Sequence, residues 1–319
     1  MHLLVTGGVG FIGSHLVDSL LRDGCEATVV DNFDPFYDRT IKEDNVAGHR
    51  GDPRWRLVEA DICDAESLKA RLTGRYDAIV HLAAKAGVRA SISDPRAYQE
   101  VNVTGTQNVL EFAKDRRVPQ VVFASSSSVY GINPRVPWSE EDHVLQPISP
   151  YASTKVSGEL LGHVYSHLYG MRFIALRLFT AYGPRQRPDL AIHKFARLIE
   201  QGRPIPVFGD GTTSRDYTYV DDIVSGIRAA VEYDGTMYEV INLGNRMSVT
   251  LRETIEELER AMGRKAVIEW LPEQAGDVPR TVASIDKARA LLGYQPQVSY
   301  QEGVRRFVDW YTSRGCFTA

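Results

Sequence analysis

Residues 3–17 read LLVTGGVGFIGSHLV. An apolar run ends in Thr6, glycines follow at positions 7, 8, 10 and 13, and apolar residues then return at helical spacing. Glycine lets a chain turn sharply between strand and helix and brings its backbone close to a ligand, while the first amides of the following helix carry a partial positive charge. The spacing satisfies both GxxGxxG and GxGxxG, and its strand–turn–helix setting marks a turn built for a dinucleotide pyrophosphate. Gly7, Gly10, Phe11, Ile12 and Gly13 are the candidate contacts.

The next apolar run, EATVVD, ends in Asp31, 24 residues after Gly7. A carboxylate there accepts both hydroxyls of an adenosine ribose and repels a 2′-phosphate, so the expected cofactor is NAD, with Asn32 beside the acceptor. Further runs follow in RLVEAD, DAIVHLA, PQVVFAS and RFIALRLF, with helical patterns between most of them. That alternation predicts an α/β fold, a doubly wound parallel (Rossmann) sheet with helices on both faces. Asp61 and Ile62 end the third strand and Leu82, Ala83 and Ala84 the fourth, all on the carboxyl edge where such sheets bind ligands. After residue 180 proline and glycine cluster and strands become sparse until YEVINLG at 238–244. The expected division is residues 1–179 with about 217–249 as the cofactor domain, and about 180–216 with 250–319 as a smaller α/β substrate domain.

The 319 residues carry a formal net charge of −4, which offers no general basic surface for nucleic acid. No stretch approaches the 18 apolar residues of a membrane span, and Met1 leads almost directly into LLVT, so a cytoplasmic protein without a membrane partner is expected. Cys25, Cys63 and Cys316 are odd in number and widely separated, which indicates neither a disulfide framework nor a metal site.

Two stretches carry candidate chemistry. ASSSSVYG at 124–131 closes an apolar strand on four hydroxyls, and by itself this has an ordinary reading, since serines end strands by bonding to nearby backbone. SPYASTKVSGELL at 149–161 places Tyr151 and Lys155 four apart at a helix start, hence on one face. A phenol of ordinary pKa near 10 is a poor proton acceptor at neutral pH, and an adjacent ammonium and a cationic nicotinamide ring both favour phenolate. Tyr151, Lys155 and Ser126, 25 residues upstream of the tyrosine, thus form a candidate catalytic group beside the dinucleotide turn.

With these motifs, and with ADICD, NVTGTQNVLEFA, LRLFTAYGPRQRPD and FGDGTTSRDYTYVDD, the chain resembles the extended short-chain dehydrogenase/reductase family over nearly its whole length. Within that family it resembles the nucleotide-sugar 4-epimerases, and most closely the UDP-glucuronate 4-epimerases. The resemblance implies that Ser126 polarises the sugar hydroxyl, Tyr151 exchanges its proton, and Lys155 holds the phenolate and the cofactor ribose. It assigns Asn102 either to the active site or to a buried helix tether, and it implies a homodimer formed through a four-helix interface. In the related dehydratases an Asp-Glu pair follows the catalytic hydroxyl residue; here Ser127 and Ser128 stand in those places and lack the acid–base chemistry of dehydration. The loop FTAYGPRQRPD offers Arg185 and Arg187, whose planar forks suit a carboxylate or a phosphate. In an extended loop they point to opposite sides, so at most one reaches the sugar. The resemblance assigns the carboxylate to Arg187 with Ser127, Ser128 and Thr180, a uracil wall to Val207 and Phe208, the diphosphate to Arg215 and Arg280, and the nucleotide ribose to Asp277. The expected substrate is a UDP-sugar. The rival readings are UDP-glucose 4-epimerisation, UDP-glucuronate decarboxylation and, from another class, a catalytically silent dinucleotide sensor.

Overall fold

The computed structural model describes residues 1–142, 146–272 and 278–314. Seven strands form one parallel sheet: β1 (His2–Thr6), β2 (Glu26–Asp31), β3 (Trp55–Glu59), β4 (Ala78–His81), β5 (Gln120–Ser126), β6 (Arg172–Leu178) and β10 (Tyr238–Leu243). Their order is β3-β2-β1-β4-β5-β6-β10. The chain runs outward one way from β1 and then the other way from β4, so the strand order reverses between β1 and β4, and their carboxyl ends open a crevice there.

The strands read as nearly continuous apolar runs because both faces are covered. Leu3 and Val5 of β1 and Val122 of β5 enter the core on one face; Leu4, Val121 and Phe123 enter a second core on the other. The helix Phe11–Arg22 follows the glycine turn directly. The helix Pro150–Tyr169 starts at Ser149, whose hydroxyl accepts the Ala152 N–H at 3.1 Å, with Pro150 in its first turn where no N–H is needed.

Between and after these elements lie strands that composition did not announce. β7 (Thr180–Tyr182), β9 (Ser214–Tyr219) and β11 (Ser248–Thr250) make a three-stranded sheet, and β8 (Ile205–Phe208) pairs with β12 (Ile268–Leu271). They span three to six residues each, too few to establish an alternation in the sequence. Residues 217–219 therefore belong to the small sheet, and the chain rejoins the large one through the helix Val220–Glu232 and β10. Among the described residues no helix is long and apolar enough to cross a membrane.

Candidate active site

The glycine turn is closed to any larger residue. Gly7 has φ +72°, and a Cβ there would lie 2.8 Å from the backbone nitrogen of Ala83; at Gly13 it would lie 2.3 Å from the Gly7 carbonyl oxygen. The turn thus brings helix, β1 and the loop after β4 together in one tight corner. Gly10 caps the helix without a side-chain hydrogen bond, leaving the helix start turned toward the cavity that Gly10, Phe11 and Ile12 line.

That cavity has a volume of about 530 Å³ and runs along the carboxyl edge of the sheet. Its lining unites Gly7, Gly10, Phe11, Ile12, Gly13, Asp31, Asn32, Asp61, Ile62, Leu82, Ala83 and Ala84 with Ser126, Ser127, Ser128, Tyr151, Lys155, Thr180 and Arg187. Asp31 is buried at the end of β2, where its carboxylate accepts the Phe33 N–H at 2.9 Å and lies 3.5 Å from the Lys42 ammonium. Burial pushes its pKa up, against the pull of Lys42. Burial also works against the charge of Asp61, but hydrogen bonds from the Cys63 N–H (2.8 Å) and the Asn32 amide (2.8 Å) prevail and hold it below its ordinary value. A backbone cradle that excludes a Cβ, a helix start without a side-chain cap and a buried ribose-sized carboxylate site fit a dinucleotide.

The four serines divide into distinct tasks. Ser125 is buried and donates to Glu159 at 2.5 Å. Ser126 ends β5, accepts the Ser128 N–H at 3.1 Å, donates to the Ser128 hydroxyl at 3.1 Å and lines the cavity together with Tyr151. Ser127 and Ser128 begin a short 3₁₀ turn over Ser127–Tyr130 and face the cavity. The Lys155 ammonium donates to the Ala124 carbonyl at 2.7 Å and sits 5.9 Å from the centre of the Tyr151 ring. Here the structure modifies the expectation that Lys155 lowers the tyrosine pKa. Burial dominates and raises it, with the Ser126 hydroxyl and the Arg187 charge acting the other way. Burial likewise brings the Lys155 pKa down to about 7, opposed by Glu159.

Arg185 and Arg187 do point apart. Arg185, at φ +62°, pairs with Asp18 of the helix Phe11–Arg22 at 2.8 Å, and His15 of the same helix meets the Pro184 carbonyl at 2.9 Å. This anchoring sends Arg187 into the cavity, where Nε and Nη2 take both oxygens of Asp189 at 2.9 and 2.7 Å and the guanidinium lies 4.9 Å from the Phe36 ring centre.

The nucleotide-side residues do not share this cavity. Val207 is wholly buried, because the alternation of β8 turns it into the core; the expectation that its side chain walls a ligand is corrected. Phe208, on the opposite face of that strand, carries the Arg89 guanidinium 5.2 Å from its ring centre. Arg215 donates to the Ser214 carbonyl at 2.9 Å, Arg280 is exposed at a backbone bridge to Ser214, and neither lines the cavity. Asp277 lies outside the described residues. Asn102 is buried in a π-helical segment, Glu100–Thr104, and bonds the backbone of Lys85 at 2.8 and 2.9 Å and the Thr154 hydroxyl at 3.0 Å, the geometry of a tether. Sequence reading missed Tyr98, a cavity residue packed edge-on against Tyr151 at 6.2 Å between ring centres.

Residues 4–307 match the family described as GDP-mannose 4,6 dehydratase. The chain belongs to that family. Among its relatives is a UDP-glucuronate 4-epimerase of Thermodesulfobacterium geofontis, 43% identical over 312 residues, which cover 97% of this chain and 95% of the relative. The crystal structure of UDP-glucuronic acid 4-epimerase from Bacillus cereus in complex with UDP-glucuronic acid and NAD is 36% identical and superposes with a TM-score of 0.91 over 98% of this chain and all of the other. A UDP-glucose 4-epimerase from Thermotoga maritima with UDP-glucose is 32% identical, with a TM-score of 0.90 over 98% of this chain and 99% of that one. Membership of this family therefore leaves the sugar to be argued from the side chains of the cavity.

Proposed function

We propose that this protein is an NAD-dependent UDP-sugar 4-epimerase that interconverts UDP-glucuronate and UDP-galacturonate. The observation that carries the sugar assignment is Arg187: a guanidinium, 17% exposed, sharing one cavity with Ser126, Tyr151 and Lys155 and already seated on a carboxylate, that of Asp189. A sugar acid presents the same group. Ser127, Ser128 and Thr180 add hydroxyl donors on the cavity wall. The Bacillus cereus and Thermodesulfobacterium relatives support this choice over the glucose series.

Gly7, Gly10 and Gly13 with the helix start would hold the pyrophosphate, Asp31 the adenosine ribose, and Lys155 the nicotinamide-side ribose. When bound, NAD supplies a hydride acceptor and then a hydride donor, so no net redox change accompanies a turnover. Tyr151 takes the O4 proton as C4 is oxidised and returns it after the 4-keto sugar presents its other face; Ser126 holds the same oxygen. Ser127 and Ser128 supply neither an acid nor a base for loss of water, which separates this site from that of a dehydratase. Arg187 restrains the C5 carboxylate and keeps its bond out of the alignment that loss of CO₂ from a β-keto acid requires. An intact Ser-Tyr-Lys group also argues against a silent sensor.

We place the nucleotide on residues 180–216 and 250–319, with Phe208, Arg215 and Arg280 as its contacts, and take the enzyme to be a homodimer. Leu160, Val164 and Leu168 recur at four-residue spacing on the helix Pro150–Tyr169 and are 62%, 46% and 61% exposed. Such a stripe beside the helix Gly105–Asp115 suits a self-complementary helical interface. Free Cys25 and Cys63 fit a reducing cytoplasm. Incubating purified protein separately with UDP-glucuronate and UDP-glucose, and resolving products by NMR, tests the reading; preferential turnover of UDP-glucose would overturn it.

A further inference from the structure

Behind the Tyr151–Lys155 pair lies a buried ion pair that the reaction scheme does not use. Glu159 sits one helical turn beyond Lys155 on the same face, so the two side chains are neighbours. Its carboxylate is 5% exposed by residue and accepts three hydrogen bonds, from Ser125 Oγ at 2.5 Å and from Arg177 Nε and Nη2 at 2.9 and 2.8 Å. Ser125 and Arg177 face each other across β5 and β6, which is what allows both to converge on one carboxylate. The Arg177 guanidinium is itself held from the other side by the Tyr130 ring, 4.8 Å away, and the Tyr130 hydroxyl donates to Asn242 at 2.7 Å.

We infer that Glu159 and Arg177 are positioning residues for Lys155: the clamped carboxylate keeps a buried ammonium charged from one turn away, without drawing it off its bond to Ala124 and its place beside Tyr151. A Glu159 free to turn would pair with Lys155 directly and pull the ammonium from the reacting side. With both oxygens engaged by Arg177 and Ser125, it acts through its field alone. The first of the four serines is thereby accounted for.

Among the described residues, the ionisable groups that bear on Lys155 are Tyr151 and Glu159 on its own helix and His81 on β4, with Arg177 of β6 bonded to Glu159. His81 bonds the Thr6 and Thr106 hydroxyls at 2.6 and 3.0 Å, and its pKa is pushed down to about 3 by burial, so it stands neutral. Glu159 is thus the anion available to offset the burial that lowers Lys155.

The inference rests on the proposed epimerase only for what Lys155 does in turnover; the state of Lys155 itself is measurable without substrate. In protein labelled with [ε-¹³C]lysine and loaded with NAD, the Lys155 resonance is assigned by its loss in Lys155→Met and titrated against pH. Glu159→Gln should lower its midpoint by up to roughly two pH units, the effect of one charge at the ~6 Å general spacing of neighbours one helical turn apart and an effective dielectric near 20. The neutral pair Glu159→Gln/Arg177→Met, which leaves no buried charge unpaired and so preserves the fold if the single variant does not, should lower it by about half as much. The alkaline limb of the kcat profile should move the same way. Midpoints unmoved in both variants, with only melting temperature and kcat reduced, would mean a purely structural pair and overturn the inference. Unmoved wild-type UDP-glucuronate would instead count against the proposed reaction.

Discussion

Replacing Arg187 by methionine is the perturbation that bears most directly on the choice of sugar. The side chain is largely desolvated, and its guanidinium holds Asp189 in a bidentate pair, so it is held in a fixed orientation. A charge-assisted hydrogen-bonded pair with a substrate carboxylate contributes about 1.5–3 kcal/mol, which converts to a loss of roughly 10- to 150-fold in kcat/KM for UDP-glucuronate. UDP-glucose carries no C5 carboxylate and should lose less than about 3-fold by the same reasoning. Asp189 complicates the single variant, because removing Arg187 strands a carboxylate that would itself repel the substrate. Arg187→Met/Asp189→Asn removes that repulsion and is the cleaner comparison. Steady-state rates on both substrates, with NAD content and melting temperature as controls, decide the matter. Equal losses on the two substrates in the double variant would refute the carboxylate role and leave Arg187 to the fold or the diphosphate.

Tyr151→Phe should retain fold and NAD content yet lose roughly 10²- to 10⁴-fold in kcat, since only the proton acceptor is removed; near-normal turnover would show that another group is the base. Asp31→Ala should weaken NAD about 10- to 100-fold by calorimetry, from the loss of an acceptor worth about 1–3 kcal/mol, and preferential retention of NADP by the wild type would contradict the assignment. Leu160→Glu/Leu168→Glu should shift the sedimentation coefficient from dimer to monomer while Tyr151 and Lys155 stay in place; an unchanged dimer would put the interface elsewhere. His81 provides a pH test of stability. Its native pKa of about 3 lies below the ordinary 6.5, so the unfolded chain takes up a proton that the native protein does not. Stability from this source is complete above about pH 6.5 and declines on acidification toward pH 3, by about 1.4 kcal/mol between pH 7.5 and 5.5. Urea unfolding at those two pH values should show that loss in the wild type and much less of it in His81→Gln.

The parts of the site that were legible in the sequence are those fixed by local geometry. A strand, a glycine turn and a helix place Gly7 to Gly13; a strand end places Asp31; a four-residue helical interval places Tyr151 and Lys155. Where position depends on pairing between distant segments, the sequence was mute. Ser125 meets Arg177 only through the register of β5 and β6, so the Glu159 clamp was invisible beyond the bare fact of an acid one turn after Lys155. Val207 was misread because a four-residue strand offers too little pattern to say which of its faces is buried, and β8 acquires its inner face by pairing with β12, some sixty residues on. Asn102 sits where a π-helical turn interrupts regular spacing, which no periodicity count anticipates.

The central claim is that C4 is oxidised and then reduced by the same captive hydride while Arg187 holds the acid group. UDP-glucuronate deuterated at C4, incubated with the protein in ordinary water and followed by proton and carbon NMR, tests it most directly. The account predicts UDP-galacturonate that keeps deuterium at C4, with no added dinucleotide consumed. Protium at C4, a UDP-pentose as the main product, or an unchanged substrate would contradict it.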